Sequence, residues 1–448
     1  MPSITLEKDA LSAYERVVAH AVRWLPMVGK GSLAVLDQGL ISGSNFLIGI
    51  LLARWMAQAQ YGVYALAFSI FLLFSLFHQS LLLEPQSVFG PSEFRENQKG
   101  YLGTLLWLQI GLASVILFAL GLLAYIGWGL GWSNGLPGAL AGVTIAAPCI
   151  LMFYLVREAC YVKPNQQLAV QGSSLYFVLV MALLFVVYRK ELMSPFTAFL
   201  VMGLAALASG TFLITRLTPS MSLSAESTRS SVVIRKHWLY GRWALASTFV
   251  VWLPWNSYYS LLGRYSSFAD VGALRALMNL FLPLAQTLTA LSLLLLPSAA
   301  RKHGQEGPAG ALRQTRNTMI LFASGTLAYW AIVIPLSQPI MRFLYKGQYT
   351  DIVPLIPWMA LASLFWFCAH STTISLRAIQ APSSVFIVYG AASIVCLLIG
   401  VPAVRTYGIR GAILGINLSS GAALVTGIAL VRAKARDSRQ AKEGKRIA

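Results

Sequence analysis

The sequence predicts an all-α polytopic membrane protein, about 12 transmembrane helices in two six-helix bundles. Three observations carry this: a composition too apolar for water, an alternating bias of basic residues, and a short internal repeat. Of the 448 residues 57% are hydrophobic and only 11% charged, where a soluble protein carries about 25% charged residues. Mean hydropathy is +0.67. A chain so poor in charge does not cover a water-facing surface, and long uncharged runs are membrane spans. A soluble enzyme and a disordered chain are both excluded. Helices are the default because lipid leaves no partner for stray backbone groups, and the runs lack the alternation of barrel strands.

The spans follow from apolar runs closed by charges or turn residues. The first, 33–54, lies between Lys30 and Arg54; the second, 61–83, stops at Glu84. Lys99 precedes 101–127, a glycine-rich turn precedes 136–157, and Arg189-Lys190 closes 168–188. Pro195 opens 196–216. After a polar linker, 242–263 ends at Arg264, 271–297 ends before Arg301, and 317–337 follows Arg316. The last three are 354–377, 383–402 and 409–431, ending at the basic tail. The chain divides into an amphipathic N-terminal segment (1–32), a first bundle (33–216), a linker (217–241), a second bundle (242–431) and a tail (432–448). In the N-terminal segment, 6–28 has the pattern of a helix lying on the membrane surface, and no cleavable signal peptide is visible.

With these spans, 25 of the 34 Lys and Arg residues fall on the side of the termini and 9 on the other. Basic residues stay in the cytoplasm, so both termini are expected there. The same bias explains the net charge of +19 without nucleic acid as a partner. Four cysteines (Cys149, Cys160, Cys368, Cys396) and five scattered histidines show no ligand spacing, so neither a metal site nor a disulfide framework is expected. No glycine-rich phosphate loop occurs, and the loops opposite the termini are too short for a catalytic domain. The expectation is a transporter without catalytic residues or cofactor.

The repeat links Ala53-Arg54-Trp55 and Ala59-Gln60-Tyr61-Gly62-Val63 with Gly263-Arg264-Tyr265 and Ala269-Asp270-Val271-Gly272-Ala273. An even number of helices separates the copies, so the halves insert in the same direction, as in a parallel repeat. A substrate cavity is expected between the bundles.

Polar residues inside spans are costly, roughly 2.5–3.5 kcal/mol each for charged ones, and so are functional candidates. In the eighth span Arg275, Asn279 and Gln286 share a broad face, with Thr287 and Thr289 beyond and Pro283 within the stripe. Arg275 reads either as a cavity cation or as an interfacial arginine reaching for headgroups. The first span carries Asp37, Gln38, Ser42, Ser44 and Asn45. Asn45 sits near mid-bilayer, as a substrate contact or as packing glue, and Asp37 is the candidate for ion coupling. The tenth span ends in His370, Ser371, Thr372, Thr373, Ser375 and Arg377, the last at a cavity mouth. Arg157 and Glu158 read as a structural pair, while His78 and Gln79 have no assigned role. In the seventh span Trp252, Pro254, Trp255, Asn256, Tyr258 and Tyr259 form either an interfacial belt or a face for sugar rings, with Trp255 and Asn256 as contacts. Across the spans Arg54, Arg264, Arg275 and Arg377 outnumber acids, which suits a phosphate-bearing anion.

The stretch from Leu36-Asp37-Gln38-Gly39 through Ser42-Gly43-Ser44-Asn45, Leu51-Leu52-Ala53-Arg54 and Tyr61-Gly62 resembles the N-terminal signature of polysaccharide-biosynthesis membrane proteins. These are the Wzx-like flippases of the multidrug/oligosaccharidyl-lipid/polysaccharide (MOP) superfamily. The resemblance implies a bacterial inner-membrane protein that moves polyprenyl-pyrophosphate oligosaccharides between leaflets, with membrane lipids and glycan polymerase or export proteins as partners. Three alternatives stand beside it. Multidrug MATE exporters use an acid in the first helix, a role open to Asp37. Peptidoglycan-lipid flippases like MurJ usually carry two more C-terminal helices. A non-transporting component of an exopolysaccharide synthase would look alike in sequence.

Overall fold

A computed structural model describes residues 32–132, 135–162, 165–220, 230–379 and 381–447. The amphipathic segment expected at 6–28 lies outside the described residues. In chain order the helices are α1 (Ser32–Trp55), α2 (Gln58–Ser92), α3 (Gln98–Gly129), α4 (Leu136–Val162), α5 (Gln166–Arg189), α6 (Pro195–Leu217) and α7 (Ser230–Tyr265). A continuous path from Phe268 to Val333 is broken at Gly307 (φ 64°), giving α8 (268–306) and α9 (308–333). α10 spans Ile356–Ala378. A second break at Gly408 (φ 53°) separates α11 (382–407) from α12 (409–447). At both breaks a positive φ is a conformation that glycine enters without a side-chain penalty.

Each predicted span corresponds to one of these helices. Among the described residues nine helices are long and apolar enough to cross a membrane, or ten if a bent pair counts as one span. One of the nine, Ser383–Arg436, is the pair divided at Gly408. α7 is apolar only in its later part: it begins among Arg235, Lys236 and His237 and enters the span near Arg242. Likewise α12 runs past the apolar stretch through Arg432 and Arg436. Helices outlast the spans because their backbone bonds are internal, so they continue unbroken from lipid into headgroups and water. One element has no counterpart in the spans. A short helix, Ser337–Tyr345, turns 74° away from α9 and is followed by a 3₁₀ turn, Thr350–Leu355.

The first half packs α4 against α2, α3 and α6, with α5 on α6. In the second half α10 lies against α12 and the α8–α9 pair, and α11 rests on α12. Cross-helix bonds fix the latter packing: Tyr329 donates to the Leu280 carbonyl (2.6 Å) and Trp330 Nε1 to Ser363 (2.8 Å). The halves meet where α2 packs on α7 and α8. Here Trp252 Nε1 donates to the Ser69 carbonyl (3.1 Å). His237, buried before the span, lies between the Leu81 carbonyl (2.9 Å) and the Tyr101 hydroxyl (2.8 Å). Burial pushes its pKa below the ordinary value, so the ring stays neutral, donating to Leu81 and accepting from Tyr101. Phe118, Leu398 and Val425 stand about 70% exposed on the outside. In water they would be an aggregation surface; against lipid they are the solvated one.

Candidate functional site

The site lies along the seam between the halves. Call the face where α1 begins the near face, and the opposite one the far face. At the far face the two copies of the sequence repeat meet. A Cβ on Gly62 would lie 1.7 Å from the Phe268 carbonyl oxygen, and one on Gly272 would lie 2.5 Å from that of Gln58. The first turns of α2 and α8 therefore touch backbone to backbone, each glycine against the start of the other helix. The two glycines of the repeat thus make reciprocal contacts across the seam.

The short helix reinforces this closure. Arg54 Nη1 donates to the Phe343 carbonyl (3.1 Å), Gln348 Nε2 to the Arg54 carbonyl (3.3 Å), and Gln58 Nε2 to the Gln348 carbonyl. Tyr345 and Tyr349 are buried beneath it, and Tyr349 sits edge-on to Tyr61 at 6.4 Å.

Just inside the closure lies Arg275. Its guanidinium sits 4.9 Å from the Phe68 ring centroid, with the Tyr259, Tyr61 and Tyr64 hydroxyls around it. Its Nε is buried without a hydrogen-bond partner, and it forms no ion pair with a described residue. One turn on, Asn279 is fully buried. Its Nδ2 donates to the Tyr61 hydroxyl (2.9 Å) and lies 3.5 Å from that of Tyr345. Its Oδ1 is unpartnered and faces Gly49 of α1. The structure thus sets the half-buried Arg275 side chain of α8 against α2 and α7. The helix stays intact at Pro283, whose carbonyl accepts from Thr287 (2.9 Å); the Thr289 side chain lies outside the described ones.

Towards the near face a second network spans the seam. Asp37, fully buried, takes an ion pair from Arg157 (2.6 Å) and hydrogen bonds from the Tyr161 and Ser173 hydroxyls. Arg157 also donates to Gln38 (3.1 Å), Gln38 to Ser42 (3.2 Å), and Ser42 to Gln286 of α8 (3.2 Å). Arg157 therefore pairs with Asp37 and not with its neighbour Glu158, which accepts from Ser87 (2.6 Å). Residues adjacent along a helix point in different directions, whereas α1 presents its acid directly to α4. Asp37 already holds an internal cation, so an external ion would have to displace a guanidinium. Asp37→Asn and Arg157→Gln should each lower stability by about 3 kcal/mol, since breaking a partly buried pair strands the other member. The double variant should recover part of the loss, a comparison thermal unfolding of the solubilised protein decides.

The remaining candidates are dispersed. Arg377 is exposed at the near end of α10, within electrostatic reach of Glu84 on α2. Asn45 is half-buried beside the Tyr154 hydroxyl. Arg264 is exposed at the far end of α7, over the Tyr265 ring (5.8 Å), and lines a far-face cavity of ≈ 550 Å³. Arg54 and Arg264 thus do not join Arg275; each sits in the last turns of its helix, where a cation answers the carbonyl end of the dipole. Trp255 stacks on Phe281 (5.3 Å) and meets Trp366 edge-on (4.9 Å), while Asn256 bonds the Trp252 carbonyl of its own helix (3.2 Å). Trp252 and Trp255 are half-buried and pack against the protein core. His78 is buried beside Gln109, and His370 bonds Ser292 (3.1 Å).

The sequence reading passed over Tyr61, Tyr64 and Tyr259 as companions of Arg275, and the Arg157 partnership of Asp37. Tyr61 and Tyr64 are three apart on one helix face, but nothing local says that an arginine of the other half lies opposite.

No protein-family model matches the chain, and no curated protein matches it in sequence. Solved structures do. An inward-facing multidrug resistance MATE family transporter of the MOP superfamily superimposes with a TM-score of 0.74 at 13% identity, covering 90% of this chain and 96% of that one. The lipid II flippase MurJ, in an inward closed conformation, gives 0.71 at 13% identity, covering 89% and 87%. An outward-facing MATE family transporter gives 0.58 at 14% identity, covering 90% and 94%. At these identities the likeness speaks for architecture. This chain is a multi-pass membrane protein with the fold of the MOP superfamily transporters.

Proposed function

We propose that the protein translocates a polyprenyl-pyrophosphate-linked oligosaccharide from the cytoplasmic to the periplasmic leaflet, for surface polysaccharide assembly, in a bacterial inner membrane with both termini cytoplasmic. The observation that carries this reading is Arg275, a half-buried cation in the seam with no acidic partner among the described residues and a buried, unpartnered Nε. A desolvated charge is costly, and guanidinium matches phosphate oxygens two at a time. A cation left in need of an anion suits a diphosphate head better than a cationic drug. The acid that a cation exporter would use, Asp37, is engaged by Arg157.

In this mechanism the near-face mouth, with Arg377, admits the head while the polyprenyl tail stays in lipid. Arg275, Asn279 and the surrounding tyrosine hydroxyls replace lost hydration. Separation of the Gly62 and Gly272 turns then opens the far face, as the halves rock. Ser42 and Gln286 form the opposing latch. No bond is made or broken, so the residues act by binding alone.

Mass spectrometry of polyprenyl-linked lipids from a deletion strain, beside an assay of surface glycan, tests the reading. Loss of surface glycan with accumulation of a polyprenyl-pyrophosphate oligosaccharide is expected. Unchanged glycans with heightened sensitivity to cationic dyes would replace the flippase with a drug exporter. To separate a flippase from a non-transporting synthase component, purified protein in vesicles should move the accumulated lipid between leaflets by itself.

A further inference from the structure

Away from the seam, the near ends of α2, α3, α4 and α6 enclose a cavity of ≈ 310 Å³. Its polar lining includes Gln86, Arg95, Glu96, Asn97 and Lys99, above an apolar floor that includes Leu102 and Leu217. Two independent features mark it as a site. The 32-residue α3 starts here, capped by Asn97 accepting from the Gly100 amide (3.1 Å), so the positive end of its dipole faces the cavity mouth. Gln86 is 1% exposed and lines the cavity, and its Oε1 has no hydrogen-bond partner among the described residues. A buried carbonyl oxygen left unsatisfied costs about 1–3 kcal/mol, which a donor in the cavity would recover.

These features ask for a ligand with both an anionic group and an O–H or N–H donor. Charge narrows the choice. Among the described lining residues, Arg95 and Lys99 against Glu96 leave one net positive charge, which matches the single charge of a phosphodiester. Position narrows it further: Arg95 and Lys99 are exposed just before the predicted span that starts at 101, where lipid phosphates lie. We propose that this cavity holds the headgroup of an anionic phospholipid ending in hydroxyls, of the phosphatidylglycerol class. Its phosphodiester sits on Arg95, Lys99 and the start of α3, and a headgroup hydroxyl donates to Gln86 Oε1. Such a lipid ties α2 to α3, α4 and α6 within the first half.

The test is native mass spectrometry of the delipidated full-length protein, titrated with phosphatidylglycerol, with phosphatidylethanolamine and with inorganic phosphate. Phosphatidylglycerol should bind at least about fivefold more tightly than phosphatidylethanolamine, and Arg95→Gln with Lys99→Gln should weaken it by roughly fivefold per cation. Gln86→Leu should weaken it about threefold while leaving the lipid preference for negative charge. If that variant does not fold, the exposed pair carries the test alone. Removing equal charge at Arg432 and Arg436 should change nothing. Equal binding of both lipids, an equal loss on removing the distant pair, or displacement of the lipid by equimolar inorganic phosphate would overturn the assignment.

Discussion

Arg275→Ala is expected to abolish glycan export, by about a hundredfold or more, in cells that still insert the protein. Losing a buried charged contact to an anionic partner costs about 2–5 kcal/mol, and each 1.4 kcal/mol is tenfold. Stability should move the other way. The half-buried guanidinium has no acid among the described residues and sits above Phe68 and among tyrosines, so folding bears its partial desolvation without an ionic return. An apolar replacement of similar length, Arg275→Met, should unfold no earlier than wild type and gain about 1–3 kcal/mol. Arg275→Lys should retain part of the transport, since the charge survives while the fork that grips two oxygens is lost. Wild-type export by Arg275→Ala would remove the residue from the mechanism. A marked drop in thermal stability for Arg275→Met would make it a structural residue.

Gly62→Ala should have a comparable effect through the opposite state. The added methyl meets a backbone carbonyl at 1.7 Å, and backbone of two long helices does not yield as a side-chain tip does. Overpacking of this kind costs about 1–3 kcal/mol, enough to raise the far-open population roughly tenfold to a hundredfold. A cysteine at the buried Tyr349 position, in a background without other cysteines, reports the change. Labelling by an impermeant maleimide from the far face should rise by that factor while export falls. Gly272→Ala should act in the same direction and less strongly, since its nearest carbonyl is at 2.5 Å. Unchanged labelling in both variants would show that the two turns are not the gate.

The helices were legible in the sequence because lipid imposes one rule on every span, and Arg54, Glu84, Arg264 and Arg377 mark where it stops applying. The short helix Ser337–Tyr345 escaped notice since Arg342 and Lys346 sit in a segment too brief and too mixed for any span. The repeat was visible as eight-residue spacings from Arg54 to Gly62 and from Arg264 to Gly272. That the two glycines press on each other is a fact about pairing between halves, which spacing within each half does not contain. The same holds for the site. Polarity singled out Arg275, Asn279 and Asp37, but it gave no means to sort Arg54 and Arg264, which bind helix ends, from Arg275, which faces the seam. Arg157 was tied to the nearest acid in sequence, whereas helix packing offered it a better one 120 residues away.

The far-face closure also has a history in time. Arg54 and Gln58 leave the ribosome early, yet their hydrogen-bond partners, the Phe343 carbonyl and Gln348, follow 289 to 294 residues later. At roughly 5–20 residues per second, that is some tens of seconds of synthesis. Through that interval the first six helices wait in the membrane with one end of their seam unfinished, and quality control meets them in that form. A chain stopped after α6 should therefore be cleared by membrane proteases, and supplying the second half as a separate polypeptide should protect it.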